Sequence, residues 1–250
     1  MSTYLISDIH GHLKLFKDML EKIEFDYKTD ELYLLGDYVD WGPDSIETIL
    51  FVMELDKKYD NIHVLIGNHD LMFLTQAEKY KKNPRFQDCN WLYNNRGIET
   101  FEQFLKLDTK IQDDLIAYLD NLEYRFDVCV KDKKYILAHA CPVEFFEYDE
   151  NISEELNEYY RQKLRYDAVW ERVIRYTWDV IFWFGEEGNY DNFICGHTIT
   201  PNYKIVNTPG YIDIDCGAKI INHEEFGVSS KYASLSCLRL DDMKEYYVKY

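Results

Sequence analysis

The chain has 250 residues, 46% of them apolar and 30% charged, a composition that is neither disordered nor fibrous and is long enough to bury a core without disulfides. Against 28 basic residues stand 46 acidic ones, and the net charge of −18 argues against nucleic acid and anionic membranes as partners. No apolar run approaches the roughly 20 residues of a membrane span, and the six cysteines form no Cys-x-x-Cys pair, as expected of reduced thiols in a cytoplasm.

A β-type run at Thr3–Ser7 predicts the first strand and leaves no room for a secretory signal. A helix is expected over Leu13–Ile23, a strand over Leu32–Gly36, and a helix over Asp44–Lys57 whose start is signalled by Asp44 or Ser45 after Pro43. Then come a strand at His63–Ile66 and a helix at Leu71–Lys81, with Asp70 as its cap. Helices at Thr100–Leu105 and Thr109–Leu122 precede strands at Arg125–Val130 and Tyr135–Ala138. Helical pieces across Glu154–Phe184 lead to strands at Phe193–Cys195, Tyr203–Val206, Tyr211–Ile214, Leu235–Leu240 and Glu245–Lys249. This alternation argues an α/β fold, and the late strands without intervening helices argue a mixed sheet. One domain over residues 1–250 is expected, with helical insertions at roughly 71–124 and 141–191.

Five apolar runs each end in a polar cluster: Asp8-Ile9-His10-Gly11, Gly36-Asp37 with Asp40 beyond it, Gly67-Asn68-His69-Asp70, His139-Ala140 and Gly196-His197-Thr198. In an open α/β sheet the carboxyl ends of strands are where ligands collect. Asp, His and Asn are oxygen and nitrogen donors, suited to Mn²⁺, Fe or Zn²⁺ rather than to a thiolate-seeking metal. Asp8 and His10 can reach one ion, Asp37 can bridge two, and Asn68, His139 and His197 can complete the second. Two divalent ions, two carboxylates and one hydroxide sum to about +1, a local anion trap inside an acidic protein. Metal pairs roughly 3.5–4 Å apart clamp the attacking and leaving oxygens of a phosphoryl transfer.

These blocks resemble the calcineurin-like metallophosphoesterases, and among them the serine/threonine phosphoprotein phosphatases in their small bacterial and phage form. The order covers roughly residues 3 to 218, and Ile212-Asp213-Ile214-Asp215-Cys216-Gly217-Ala218 resembles that family's I-D-x-G-A strand end. The resemblance implies an α/β/β/α sandwich with two mixed sheets and helical cap segments over the metal site. It implies a phosphomonoester hydrolase acting on phospho-Ser, phospho-Thr or phospho-Tyr through a hydroxide bridging two divalent ions, manganese first, with iron or zinc as alternatives. Asp8, His10 and Asp37 would bind one ion and Asp37, Asn68, His139 and His197 the other. His69, held by Asp40, would protonate the leaving oxygen, and Arg172, in Trp170-Glu171-Arg172, would fork onto phosphate.

Two departures matter. Trp41 stands where the family has an arginine, and Arg96, in Trp91-Leu92-Tyr93-Asn94-Asn95-Arg96-Gly97, stands where it has a glycine. Weaker phosphate binding is expected unless Arg96 or Arg175 reaches in, and Trp41 would offer a stacking face to an aromatic leaving group. His12, His63 and His223 match nothing and are expected to be structural or solvent-facing. The acid-rich stretch from Glu144 to Glu158 reads as a solvated loop entering a helix. A rival substrate is a dinucleoside tetraphosphate, since Gly67 to Leu71 and Gly42-Pro43 also look similar to that subfamily; a third reading is a metal-binding module with little turnover.

Overall fold

The computed structural model describes residues 1–172, 192–227 and 229–250. Three short parallel strands open the chain: β1 (Thr3–Ile6), β2 (Glu31–Leu34) and β3 (Ile62–Val64), in register Thr3 to Glu31 and Leu32 to Ile62. The connections between them are α1 (Leu13–Lys22) and α2 (Ser45–Lys58). A helical stretch follows: α3 (Asn68–Lys82), a π-turn at Asn90–Asn94, α4 (Gly97–Leu105) and α5 (Thr109–Asp120). The second sheet takes β4 (Arg125–Val130), β5 (Lys133–Ala138), β6 (Asn192–Cys195), β7 (Val206–Thr208) and β8 (Gly210–Asp213), in the order β4-β5-β6-β8-β7. Between β5 and β6 lies α6 (Glu154–Trp170), capped by Ser153, whose hydroxyl accepts the Leu156 N–H. The chain then returns to the first sheet as β9 (Leu235–Arg239) and β10 (Lys244–Val248), both antiparallel, giving the order β10-β9-β1-β2-β3.

Both sheets are mixed, and the strand alternation shows how they stack. In β1, Tyr4 and Ile6 point into one apolar cluster with Leu15, Phe16, Ile49 and Phe73 of the helices, while Leu5 points into another with Leu35, Leu137, Ile194, Ile212 and Leu238. That second cluster is the seam between the sheets. On the far side of the second sheet Ile136, Ala138 and Phe193 form a third apolar layer. Strands buried on both faces read as continuous apolar runs, which is why Tyr4-Leu5-Ile6 and Tyr135-Ile136-Leu137 lack polar alternation. The α/β/β/α sandwich expected from the sequence is therefore the fold.

Three boundaries differ from expectation by three residues or more. The strand expected at Tyr203–Val206 is a 3₁₀ turn at Pro201–Tyr203, because Asn202 and Tyr203 take left-handed φ of 62° and 55°; the backbone is extended again at Lys204 and strand β7 begins at Val206. Helix α3 starts at Asn68, three residues before Leu71, so Asn68, His69 and Asp70 form its first turn. Helix α4 starts at Gly97 rather than Thr100, on top of Trp91, whose ring lies 2.2 Å from where a Gly97 Cβ would be. Of the helical pieces expected to Phe184, α6 ends at Trp170 and the remainder from 173 lies outside the described residues, as does Arg175.

Close packing of strand ends leaves no room at Gly196. A Cβ there would stand 2.0 Å from Asp8 Oδ2 and 2.2 Å from Ser7 Oγ, both across the seam. Gly196→Ala is expected to lower stability in urea unfolding by about 1–3 kcal/mol, the usual cost of overpacking a tight site.

Candidate metal centre

The strand ends turn sharply to deliver their side chains. Asp8, His10, Asp37, Asp40, Trp41 and His197 all have φ between 47° and 69°, a left-handed conformation costing a non-glycine residue on the order of 1 kcal/mol. Backbone bonds hold the turns: the Asp8 N–H donates to Gly36 O at 3.0 Å, and the His10 N–H to Asp37 O at 2.9 Å. Buried Asp70 does more than cap a helix. It accepts the N–H groups of Gly67 (2.9 Å), Asp37 (2.8 Å) and Tyr38 (2.9 Å), tying the start of α3 to the loop after β2.

Six residues that are far apart in the chain meet here. Asp37 Oδ2 lies 3.4 Å from His10 Nε2, and Asp37 Oδ1 lies 3.4 Å from His139 Nε2. Asn68 Oδ1 is 3.0 Å from His139 Nε2 and 2.8 Å from His197 Nδ1. Asp8 stands 3.8 Å from His10 Nε2, and its carboxylate accepts the Ser7 hydroxyl at 2.5 Å and the His197 N–H at 3.1 Å. Two trios with donor atoms within 4.8 Å of one another share Asp37: His10, Asp37 and His69, and Asp37, His139 and His197. His10 and Asp37 come from the first sheet, and His139 and His197 from the second, so the centre sits astride the seam.

The donor set fits a divalent cation. His10 Nδ1 donates to Val39 O (3.1 Å) and His139 Nδ1 to Leu35 O (2.8 Å); a carbonyl only accepts, so each neutral ring turns its Nε2 lone pair inward. Burial pushes His10 well below the usual imidazole range, lowers His139, and takes His197 to about 2, so all three are neutral. The Nε2 atoms of His10 and His197 are buried without a hydrogen-bond partner. His139 Nε2 faces Asn68 Oδ1, acceptor against acceptor. Lone pairs of this kind converging on a carboxylate match a cation that takes nitrogen and oxygen ligands. Burial pushes Asp37 up, yet the histidines beside it, from His139 and His69 to His10 and His197, leave the carboxylate well below its ordinary range; with the other three rings neutral, His69 carries that attraction, and its backbone N–H donates to Asp37 Oδ1 at 2.9 Å.

His69 behaves oppositely. Burial pushes it down, but the charges of Asp37 and Asp40 win and its pKa is raised. Its Nδ1 meets Asp40 Oδ2 at 2.7 Å, leaving Nε2 as the nitrogen for the open side of the site. Asp40 is in turn gripped by Trp91 Nε1 (2.7 Å), Thr100 Oγ1 (2.6 Å) and its own N–H bond to Ser45 Oγ (2.9 Å). Ser45, read from the sequence as a helix-start signal, thus spends its hydroxyl on Asp40.

The remaining residues spread around the rim. Exposed Arg172 donates to Thr198 Oγ1 at 2.7 Å, next to His197. Trp41 and Arg96 meet each other, 5.1 Å from guanidinium carbon to ring centroid. His63 pairs with Glu31 and His12 is buried against Tyr250, but His223 bonds the Trp41 carbonyl and belongs to the rim. Sequence reasoning missed Trp91 and Thr100 as Asp40 partners, although Trp91 opens the segment that carries Arg96 and Thr100 was the expected start of the next helix. It also missed Asp215, buried with Oδ2 unpartnered; burial pushes its carboxyl up, and after burial itself it helps push Asp8 up. An acid one residue after an apolar strand end, as at Asp8 and Asp37, was the signal for it.

A two-sheet sandwich whose strand ends converge on this histidine and carboxylate cluster defines the metallophosphoesterase class of hydrolase. The chain belongs to the calcineurin-like phosphoesterase family, whose model matches residues 1–201. It is 31% identical over 140 residues to a symmetrical bis(5'-nucleosyl)-tetraphosphatase of Proteus mirabilis, covering 56% of this chain and 44% of the relative. To the enzyme of the same name from Buchnera aphidicola subsp. Acyrthosiphon pisum it is 40% identical over 116 residues, 44% of this chain and 41% of the relative. The match therefore spans less than half the length of these curated relatives. The fold is shared with a metallophosphoesterase from Sphaerobacter thermophilus (TM-score 0.57, 16% identity, 100% of this chain and 89% of that one). It is shared also with a cold-active protein-tyrosine phosphatase of a Shewanella species (TM-score 0.59, 15% identity, 99% and 80%).

Chelator-treated protein should gain thermal stability when Mn²⁺ is added, by about 2.7 kcal/mol at a hundredfold excess over Kd. Asp37→Asn should abolish that gain and lower bound metal measured by elemental analysis.

Proposed function

We propose that the chain hydrolyses dinucleoside tetraphosphates, with two divalent cations held by Asp8, His10, Asp37, Asn68, His139 and His197. Manganese is the first choice of metal, with iron or zinc as alternatives. The observation that carries the substrate is the 31–40% identity to relatives named symmetrical bis(5'-nucleosyl)-tetraphosphatase. It reverses the order expected from the sequence, in which phosphoproteins came first and the dinucleotide second.

Cations in this centre would polarise phosphoryl oxygens and lower the pKa of a bound water. The chain's own residues do the rest. Arg172, beside Thr198 at the His197 end, takes the non-bridging oxygens of the reacting phosphate. Water adds to phosphorus, the bridging P–O bond opposite it breaks, and a nucleoside diphosphate leaves. His69 Nε2 delivers a proton to the departing oxygen, because Asp40 fixes Nδ1 and favours the charged ring. The bonds from Trp91 and Thr100 keep Asp40 from turning away from His69.

Incubation with diadenosine tetraphosphate and Mn²⁺ is expected to yield two equivalents of ADP, with kcat/KM above that for phosphoserine and phosphotyrosine peptides. Faster release from either peptide would restore the phosphoprotein reading. Separately, His69→Asn should cut turnover roughly 10²- to 10⁴-fold where the leaving group is a poor one. With p-nitrophenyl phosphate, whose leaving group needs little protonation, the loss should be much smaller; equal losses would remove His69 as the acid.

A further inference from the structure

The residue after Asp40 and the residue before α4 come together at the rim. Arg96 occupies the N-cap of α4 with φ 58°, a conformation that favours glycine. Holding an arginine there is strained, and strain of this kind clusters where a side chain's direction matters. That direction is over Trp41. The guanidinium carbon lies 5.1 Å from the indole centroid, a cation–π contact. Trp41 is itself left-handed and flanked by His223 (5.6 Å, edge-on) and Phe226 (6.0 Å), while His223 Nε2 donates to the Trp41 carbonyl at 3.1 Å. The ring face under Arg96 is thus closed to a substrate ring, against the stacking role expected for Trp41.

Arg96 is also ion-paired to Glu225, with both side chains nearly half exposed (42% and 46%). An exposed pair of this kind contributes little to stability and exchanges readily. A guanidinium fork matches phosphate as well as carboxylate, and a polyphosphate chain offers several oxygens and more charge. The pair stands beside the dyad: Trp41 follows Asp40, and α4, which begins directly after Arg96, sends Thr100 to the same carboxylate.

We infer that Arg96, carried on Trp41, grips the polyphosphate chain of the substrate beyond the reacting phosphorus, and that Glu225 is an internal stand-in for phosphate which the substrate displaces. The assignment rests on the dinucleotide reading for its natural ligand. Trp41 is then a positioning residue acting through Arg96, and Glu225 is a competitor. The test measures steady-state hydrolysis of diadenosine tetraphosphate and calorimetric binding of inorganic tripolyphosphate, with thermal melts to confirm folding. Arg96→Ala should raise KM and the tripolyphosphate Kd by about tenfold, about 1.4 kcal/mol, with a much smaller fall in kcat. Trp41→Ala should move both in the same direction, Trp41→Phe should restore them, and the Trp41→Ala/Arg96→Ala double variant should be no worse than Arg96→Ala. Glu225→Gln should tighten tripolyphosphate and lower KM by about threefold, a fraction of the worth of an exposed pair. An unchanged tripolyphosphate Kd in folded Arg96→Ala, or weaker binding in Glu225→Gln, would overturn the inference. Wild-type protein that leaves the dinucleotide intact would overturn the substrate reading instead, and the tripolyphosphate measurements would still decide the role of Arg96.

Discussion

One carboxylate, Asp37, faces imidazoles on both of its oxygens, His10 at 3.4 Å on one side and His139 at 3.4 Å on the other. The first comes from the sheet that opens the chain and the second from the sheet formed later, so the fold can place these groups only by packing the two sheets face to face. The Leu5, Leu35, Leu137 and Ile194 seam does that. Burying a carboxylate is costly unless it is compensated, and here the His69 backbone N–H donates to Asp37 Oδ1 at 2.9 Å while the His69 ring favours its charged form. His10 and His139 meanwhile turn lone pairs toward it, an arrangement that a bound cation would complete.

The four imidazoles around Asp37 divide by what their Nδ1 atoms meet. His10 and His139 donate to backbone carbonyls, which fixes Nε2 as a lone pair, the form a metal takes. His69 meets the Asp40 carboxylate, which favours the protonated ring. His197 turns Nδ1 toward Asn68 and keeps Nε2 buried and unpartnered. One residue type thus offers both neutral rings with lone pairs and a ring that favours its charged form within a single cluster. The helices from α3 to α5 serve this division directly, since Trp91 and Thr100 reach back from that stretch to hold Asp40.

The candidate ligand set was legible because its members cluster just beyond apolar runs, and strand ends in such a sheet point to one edge. The layering was legible for a related reason: Tyr4-Leu5-Ile6 and Tyr135-Ile136-Leu137 are apolar without alternation, as strands covered on both faces must be. What escaped depends on tertiary neighbours. Nothing local to Tyr203 announces its left-handed backbone, and propensity alone made it a strand. The meeting of Trp41, Arg96 and Glu225 joins residues more than fifty and more than a hundred positions apart. Asp70, read as a helix cap, gains its role from Asp37 and Tyr38 across 33 and 32 residues.

The central claim is that Asp37 sits between two cations. Anomalous diffraction from crystals soaked in manganese measures this directly. The account predicts two peaks flanking the Asp37 carboxylate, one toward His10 and Asp8 and the other toward Asn68, His139 and His197. Peaks elsewhere, or no peak within coordinating distance of Asp37, would contradict it.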